Sequence, residues 1–355
     1  MAAPKALVAL SGGVDSAVAA ILMQEQGYDL MGVTLRLWPK SRCCDEKDIE
    51  DAAEVCARLQ IPYQVLDYRE SFRQQIVDAF VAEYQAGRTP NPCARCNQFL
   101  KFDALLEEGK KRGANILATG HYARLLEMES GTALLRGEDA SKDQSYFLFA
   151  LGAGLLPQLR FPVGAMHKDA VRALARKHAL PVATKQDSQD ICFVPDGDYR
   201  RFLVDYAGLD LEQEGEMVDS SGQVIGHHSG VLNFTVGQRK GLGGGSGQPR
   251  YVLALDPVRN QVRVGSEKEL YQTRAYLQDC NWLMPLDISQ EHPVTVKLRY
   301  RSRPEPGVLC LKDHGRAEIR FHEGQRAITP GQAAVCYVGE RLLGGGWIRT
   351  AENPA

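Results

Sequence analysis

A short apolar run, Ala6 to Leu10, passes directly into Ser11-Gly12-Gly13-Val14-Asp15-Ser16, and a helical pattern starts at once. This junction limits the fold more than any other stretch. A buried strand that turns on two glycines into a helix is the opening of a βαβ unit. Val18, Ile21 and Leu22 fall at helical spacing over Ser16 to Gln26, and Gly27 stops the helix. Further strands are predicted at Leu30 to Leu37, Tyr63 to Leu66 and Ile116 to Thr119. Helices are predicted at Asp48 to Leu59, Ser71 to Tyr84, Phe99 to Arg112, Val171 to His178 and Tyr199 to Tyr206. The alternation predicts a parallel sheet covered by helices. Ala123 to Leu126 and Thr132 to Arg136 read as a hairpin.

After about Ala207 the character changes. Glycine becomes dense, helical periodicity stops, and short strand-like runs alternate with turn signals such as Gly241 to Gly247, Asp256-Pro257, Pro304 to Gly307 and Pro330-Gly331. A chain of 355 residues exceeds one ordinary core. The expected units are an α/β parallel-sheet nucleotide-binding domain over residues 1–207, a small β-rich central domain over 208–273, and a C-terminal β-barrel over 274–355.

Nine cysteines lie scattered through the chain. The start has no signal-peptide shape, and no run of about eighteen apolar residues exists. Reduced thiols in a cytoplasmic protein with no membrane span are expected. The formal net charge of −2 argues against nucleic-acid binding by bulk charge, though not against a local basic surface.

The loop Ser11 to Ser16 has the parts to hold a pyrophosphate. Glycines let the backbone approach an anion, and the helix behind presents unpaired N–H groups and its positive end. The Gly-Lys-Ser/Thr ending of a Walker A loop is missing, and so is the dinucleotide G-x-G-x-x-G. Asp15 suits a helix N-terminus for structural reasons, and it suits the Mg2+ that accompanies ATP. Sequence leaves both roles open.

Two cysteine segments stand out. In Thr89 to Asn97, prolines and asparagines predict a rigid loop carrying Cys93 and Cys96, with a helix starting near Phe99. A thiol near a helix N-terminus tends toward the thiolate. A half zinc site, completed by Cys43, Cys44 or His121, is the alternative. In Asp187 to Phe193, polar turn-forming residues precede the single Cys192. A buried packing cysteine is the alternative there.

These strings, with Thr119-Gly120-His121-Tyr122, Lys142 to Tyr146, Val236 to Gly243 and Pro330-Gly331-Gln332, occur in the order found in bacterial tRNA-specific 2-thiouridylases. The chain resembles that family over nearly its whole length, and the loop resembles the ATP pyrophosphatases. The resemblance implies an adenine nucleotide alpha-hydrolase-like fold. It implies ATP-dependent 2-thiolation of a wobble uridine in tRNA, with Cys192 as persulfide carrier and Cys96 as partner thiol. Ala9, Leu10, the loop residues, Leu35 and Gly120 match positions that contact ATP. Asn91, Pro92 and Cys93 match positions near the target base. His121, Lys142, Asp143, Gln144, Arg299, Tyr300 and Gln332 match tRNA-contacting positions. A sulfur-donor protein, a cysteine desulfurase or a relay, is implied as partner. The chain departs from a common form at Cys93, where aspartate is frequent. Cys93, Cys96 and Cys192 then suggest an alternative route through an iron–sulfur cluster, as in related thiolation enzymes.

Lys297, Arg299, Arg301 and Arg303 recur at every second residue. On a strand they share one face and form a phosphate-binding stripe, with Val296, Leu298 and Tyr300 opposite. Protection of a sheet edge is the structural alternative. Two other functional classes are an amidating ligase with the same phosphate loop and a non-enzymatic RNA-binding adaptor. The first lacks an ammonia source in this chain; the second leaves the loop and both cysteine segments without purpose.

Overall fold

The computed structural model describes residues 3–39, 45–187, 190–194, 196–242 and 249–352. The chain opens with β1 (Lys5–Ala9) and α1 (Val14–Glu25), followed by β2 (Asp29–Arg36), α2 (Glu46–Leu59) and β3 (Tyr63–Asp67). One long helical stretch runs through α3 (Arg69–Phe72), a π-helical turn and α4 (Asp78–Gln85). A second runs through α5 (Pro92–Cys96), a π-helical turn and α6 (Asp103–Lys111). Then come β4 (Ile116–Ala118), the hairpin of β5 (Ala123–Met128) and β6 (Gly131–Arg136), β7 (Leu159–Arg160), α7 (Lys168–Lys177) and α8 (Tyr199–Ala207).

The first sheet has the order β3-β2-β1-β4-β7, and every pairing in it is parallel. β1 is apolar throughout its middle because both faces are covered. Leu7 packs with Leu105, Leu106 and Leu117 on one side, while Ala6 and Val8 pack with Ala20, Met23 and Cys56 on the other. The strand order reverses between β1 and β4. Their carboxyl ends therefore open onto the crevice where such sheets bind ligands.

A small sheet of β8 (Gly215–Val218), β9 (Val224–His228), β10 (Tyr251–Asp256) and β11 (Gln261–Gly265) follows, with Val252, Val262 and Val264 in its own core. The last part comprises β12 (Tyr271–Trp282), β13 (Glu291–Lys297), β14 (Glu305–Lys312), β15 (Arg316–Arg326), β16 (Ala333–Val338) and β17 (Arg341–Glu352). β17 pairs back onto β12 and closes a six-stranded barrel. The hairpin β5–β6 adds to this barrel sheet through Leu135 opposite Arg341, so the α/β unit and the barrel share backbone hydrogen bonds. No helix among the described residues is long and apolar enough to cross a membrane.

Two local expectations are corrected. The Cys93–Cys96 segment is helical, not a loop: Asn91 is the N-cap of α5, its Oδ1 accepting the Ala94 N–H at 3.4 Å, and Pro92 takes the first helical turn, where its missing N–H costs nothing. Of the basic stripe, only Lys297 is on a strand. β13 ends at Lys297, and the Ser302 N–H bonds the Arg299 carbonyl at 3.1 Å in a turn, so the two-residue alternation stops there. Val296 and Leu298 do enter the barrel core.

Candidate active site

Gly12 adopts φ +68°, and a Cβ there would lie 2.4 Å from the Asp48 carbonyl oxygen. Only glycine permits both the turn and that approach to α2. Gly13 is the N-cap of α1 in extended conformation and makes no side-chain cap, so no side chain of the cap blocks the helix end. The Ser16 hydroxyl donates to the Gly13 carbonyl at 3.0 Å and accepts the Ser11 N–H at 3.2 Å, which staples the loop to the first turn. Gly120 follows β4, and a Cβ on it would meet the Ser16 nitrogen at 2.5 Å. Two backbones thus converge at the carboxyl ends of β1 and β4. Leu10 continues β1 by bonding the Val33 carbonyl at 2.8 Å, and Leu35 is buried toward the end of β2. Leu10, the Ser11 to Ser16 loop, Leu35 and Gly120, expected at the nucleotide, lie at the carboxyl ends of β1, β2 and β4.

Asp15 is held from two sides. Lys168 Nζ lies 2.7 and 2.8 Å from its two oxygens, and the Tyr122 hydroxyl donates to Oδ1 at 2.8 Å. Burial and the Asp15 charge push the Tyr122 pKa upward, so the phenol stays a donor. A carboxylate at the start of α1 fits Mg2+, but here the ion would have to share Asp15 with Lys168. Lys168 also reaches Asp187 at 2.8 Å, and Lys142 and Arg172 bond Asp187 at 2.7 and 3.0 Å. Burial alone would raise the Asp187 pKa; hydrogen bonds from Lys142 and Lys168 more than offset it, and the pKa is lowered.

Cys96 is buried, and Cys93 and Cys192 are half-buried. Cys96 belongs to the large apolar cluster of the α/β unit, and Ile191 and Cys192 pack against that same cluster. Phe193 anchors its end of the segment among Phe72, Phe80 and Phe202. Ser188 and Gln189 lie outside the described residues, as do Cys43, Cys44 and Gly243 to Gly247. Burial pushes the pKa of Cys56, Cys280, Cys310 and Cys336 upward, to about 12 for Cys56 and Cys280, which marks these as packing thiols. Among the described residues no three His, Cys, Asp or Glu side chains group as a metal site.

The side chains expected at tRNA have internal partners. His121 sits between Phe102 and Phe161, with Nδ1 2.8 Å from the Thr119 hydroxyl; burial pulls its pKa down to about 3, so it is neutral. Buried Asp143 accepts the N–H groups of Gly137 and Ser145, and Gln144 accepts the Tyr122 N–H at 2.9 Å. Tyr300 packs on Phe147 at 4.5 Å, and Arg299 donates to the Ala327 carbonyl and the Thr329 hydroxyl. Gln332 donates to the Thr89 carbonyl at 2.9 Å and the Pro90 carbonyl at 3.4 Å. Asn91 and Pro92, just beyond, are buried at the start of α5. Sequence reasoning missed Lys168 and Asp139, and it named Tyr122 only within the Thr119 to Tyr122 string, without a role. The contacts of Lys168 and Tyr122 with Asp15 join residues far apart in the chain, so nothing local marks them.

Residues 4–196 match the family described as the tRNA methyl transferase HUP domain, 200–266 its PRC-barrel domain, and 272–348 the aminomethyltransferase beta-barrel domain. The chain is 76% identical to the tRNA-specific 2-thiouridylase MnmA of Acidithiobacillus ferrooxidans, over 99% of this chain and 100% of that one. It is 49% identical to the protein of that name from Magnetococcus marinus, over 96% and 98% of the two chains. It is 45% identical to that from Geobacter metallireducens, over 97% and 96%. A solved U34-tRNA thiolase, NcsA from Methanococcus maripaludis with its 4Fe-4S cluster, aligns at TM-score 0.37 and 18% identity over 58% of this chain and 65% of that one. A likeness so slight carries no argument about chemistry.

Proposed function

The chain belongs to the tRNA-specific 2-thiouridylase family, and from that premise we propose that it thiolates the 2-position of the wobble uridine of tRNA at the expense of ATP. The observation that carries this reading is the carboxyl end of the parallel sheet, where the Ser11 to Ser16 loop after β1 meets Gly120 after β4. On the same unit, Cys96 and Cys192 pack against one apolar cluster. A methyl-transfer reading, suggested by one domain description, leaves the phosphate loop and both thiols without a role.

A uridine carbonyl oxygen is a poor leaving group. Its attack on the α-phosphorus of ATP makes it a good one and expels pyrophosphate, which the N–H groups of the loop and α1 receive. Asp15 is the carboxylate that would hold the Mg2+ bound to the nucleotide, with Lys168 as its competitor. The target base leaves its stack to reach this site, near Asn91, Pro92 and Cys93. The terminal sulfur of a Cys192 persulfide attacks the activated ring carbon, and AMP departs with the oxygen. The Cys96 thiolate then attacks Cys192 Sγ, and the S–S electron pair leaves with the 2-thio group. The resulting Cys96–Cys192 disulfide takes two electrons from an external reductant. A sulfur-donor protein, a cysteine desulfurase or a relay, reloads Cys192. His121, Lys142, Asp143, Gln144, Arg299, Tyr300 and Gln332, each already partnered within the chain, shape the surface that meets the tRNA. The reaction belongs to the cytoplasm, where its tRNA is.

The test is product analysis with full-length protein, ATP, tRNA and a persulfide donor. Pyrophosphate and 2-thiouridine are expected in equal amounts, neither forming without ATP. Pyrophosphate released with ammonia and small acids but not with tRNA would make the protein an amidating ligase instead.

A further inference from the structure

Lys168 joins two segments that the chemistry keeps apart in sequence. It is 8% exposed, and its three ammonium protons face three oxygens: Asp15 Oδ1 at 2.7 Å, Asp15 Oδ2 at 2.8 Å and Asp187 Oδ1 at 2.8 Å. Asp15 is on the first turn of α1, inside the phosphate loop. Asp187 opens the segment that ends in Cys192. The backbone of Lys168 is fixed as well, because its N–H donates to Asp139 Oδ2 at 3.0 Å and so caps α7. Asp139 starts the turn that carries Lys142, and Lys142 holds the other oxygen of Asp187 at 2.7 Å. Arg172, one turn along α7, completes the grip at 3.0 Å.

The geometry points to Lys168 as a positioning residue that couples the nucleotide loop to the sulfur-carrier segment. A buried ammonium must keep its carboxylates, so a shift of Asp15 is felt at Asp187 and a shift of Asp187 at Asp15. A cation that arrives at Asp15 competes with this ammonium for the carboxylate, and a phosphate that arrives competes with Asp15 for the ammonium. Lys142 and Arg172 hold Asp187 too, but of the three cations Lys168 is the one that also holds Asp15, so it links the register of the activated base to that of the Cys192 sulfur while touching neither. A carrier displaced by about 1 Å loses on the order of a hundredfold in transfer, while adenylation of the base does not need it. This rests on the assignment of the loop and of Cys192 given above.

The experiment measures two products on the same tRNA, pyrophosphate and 2-thiouridine, with full-length protein. In wild type their ratio is near one. In Lys168→Met, 2-thiouridine per pyrophosphate should fall about tenfold or more, because adenylated base left without sulfur is lost to water. Lys168→Arg should recover part of the ratio. Asp187→Asn leaves Lys168 paired with Asp15 and should reproduce the loss, so it decides the matter if Lys168→Met does not fold. The double variant should be no worse than the worse single one, as for residues acting through one contact. A wild-type ratio in both single variants overturns the inference. So does a parallel loss of both products, which would make Lys168 a nucleotide-loop residue alone. Absence of pyrophosphate from wild type with tRNA sinks the functional reading instead.

Discussion

The two thiol segments are held by opposite means. Cys96 sits in a helix whose restraints are packing and mostly neutral hydrogen bonds. Asn97 donates to the Phe147 carbonyl at 3.2 Å, and Gln332 from the barrel grips the Thr89 carbonyl just upstream. Gly331, at φ +88°, lies so close to Thr89 that a Cβ would meet its nitrogen at 2.9 Å. Arg95, one residue before Cys96, stacks on Trp347 of β17 at 4.7 Å. Cys192, by contrast, follows a carboxylate gripped by three cations, Lys142, Lys168 and Arg172. Among the described residues, Phe193 and Val194 on its downstream side are fully buried, and Ile191 and Cys192 pack in part against the same apolar cluster. A thiol that resolves an intermediate needs one fixed place. A thiol that receives sulfur from a donor and hands it to a base needs a hold that answers to charge.

The largest effect expected separates the two thiols. Cys192→Ser should abolish 2-thiouridine while tRNA still binds, since no carrier remains. Cys96→Ser should also stop turnover, but at a later step, with tRNA held through sulfur on Cys192. Gel analysis without reductant, followed by reductant, reads this. A thiol-reversible tRNA adduct is expected in Cys96→Ser and none in Cys192→Ser. The reverse pattern would exchange the two roles, and thiolation by Cys192→Ser would remove the carrier assignment.

A smaller effect should come from the neutral side of the comparison. Gln332→Ala leaves the Thr89 and Pro90 carbonyls without their donor, a local cost of about 1 to 3 kcal/mol. Thiolation should fall about tenfold with tRNA affinity nearly unchanged, and by the same factor at low and high salt, because no charge is involved. A loss of affinity that accounts for the whole drop would return Gln332 to direct tRNA contact.

What could be read from sequence follows the range of the interactions. The strand, loop and helix from Lys5 to Glu25 were legible because Gly12, Gly13 and the apolar run act locally. The hairpin over 123–136 was legible for the same reason. Its attachment to β17 was not, since Leu135 opposite Arg341 has no local signature. Asn91-Pro92 punctuates a loop or starts a helix with equal ease, and only the Ala94 N–H bond decides between them. Alternation over 295–303 read as a strand, but the Arg299–Ser302 turn ends it after Lys297. Buried ion pairs such as Lys168 with Asp15, set by tertiary packing, leave no spacing to read.

The smallest effect concerns the cations beyond β13, and there the lost strand sharpens the expectation. Lys297 is half-buried, its ammonium 5.7 Å above the Tyr300 ring, and burial pulls its pKa down. Arg299 is committed to Ala327 and Thr329. The four cations therefore do not form one uniform stripe. Arg301 and Arg303 are exposed on the turn, where a phosphate could reach them. Neutralising both should flatten the dependence of log K on log salt for tRNA by roughly 1 to 2 units. Arg299→Gln should instead lower stability, since it strips hydrogen bonds from a carbonyl and a buried hydroxyl, and should leave the slope nearly unchanged. Filter binding across a salt series, with thermal unfolding of the same proteins, reads both. A slope that responds to Arg299 and ignores Arg301 and Arg303 would move the RNA contact from the turn to the barrel wall.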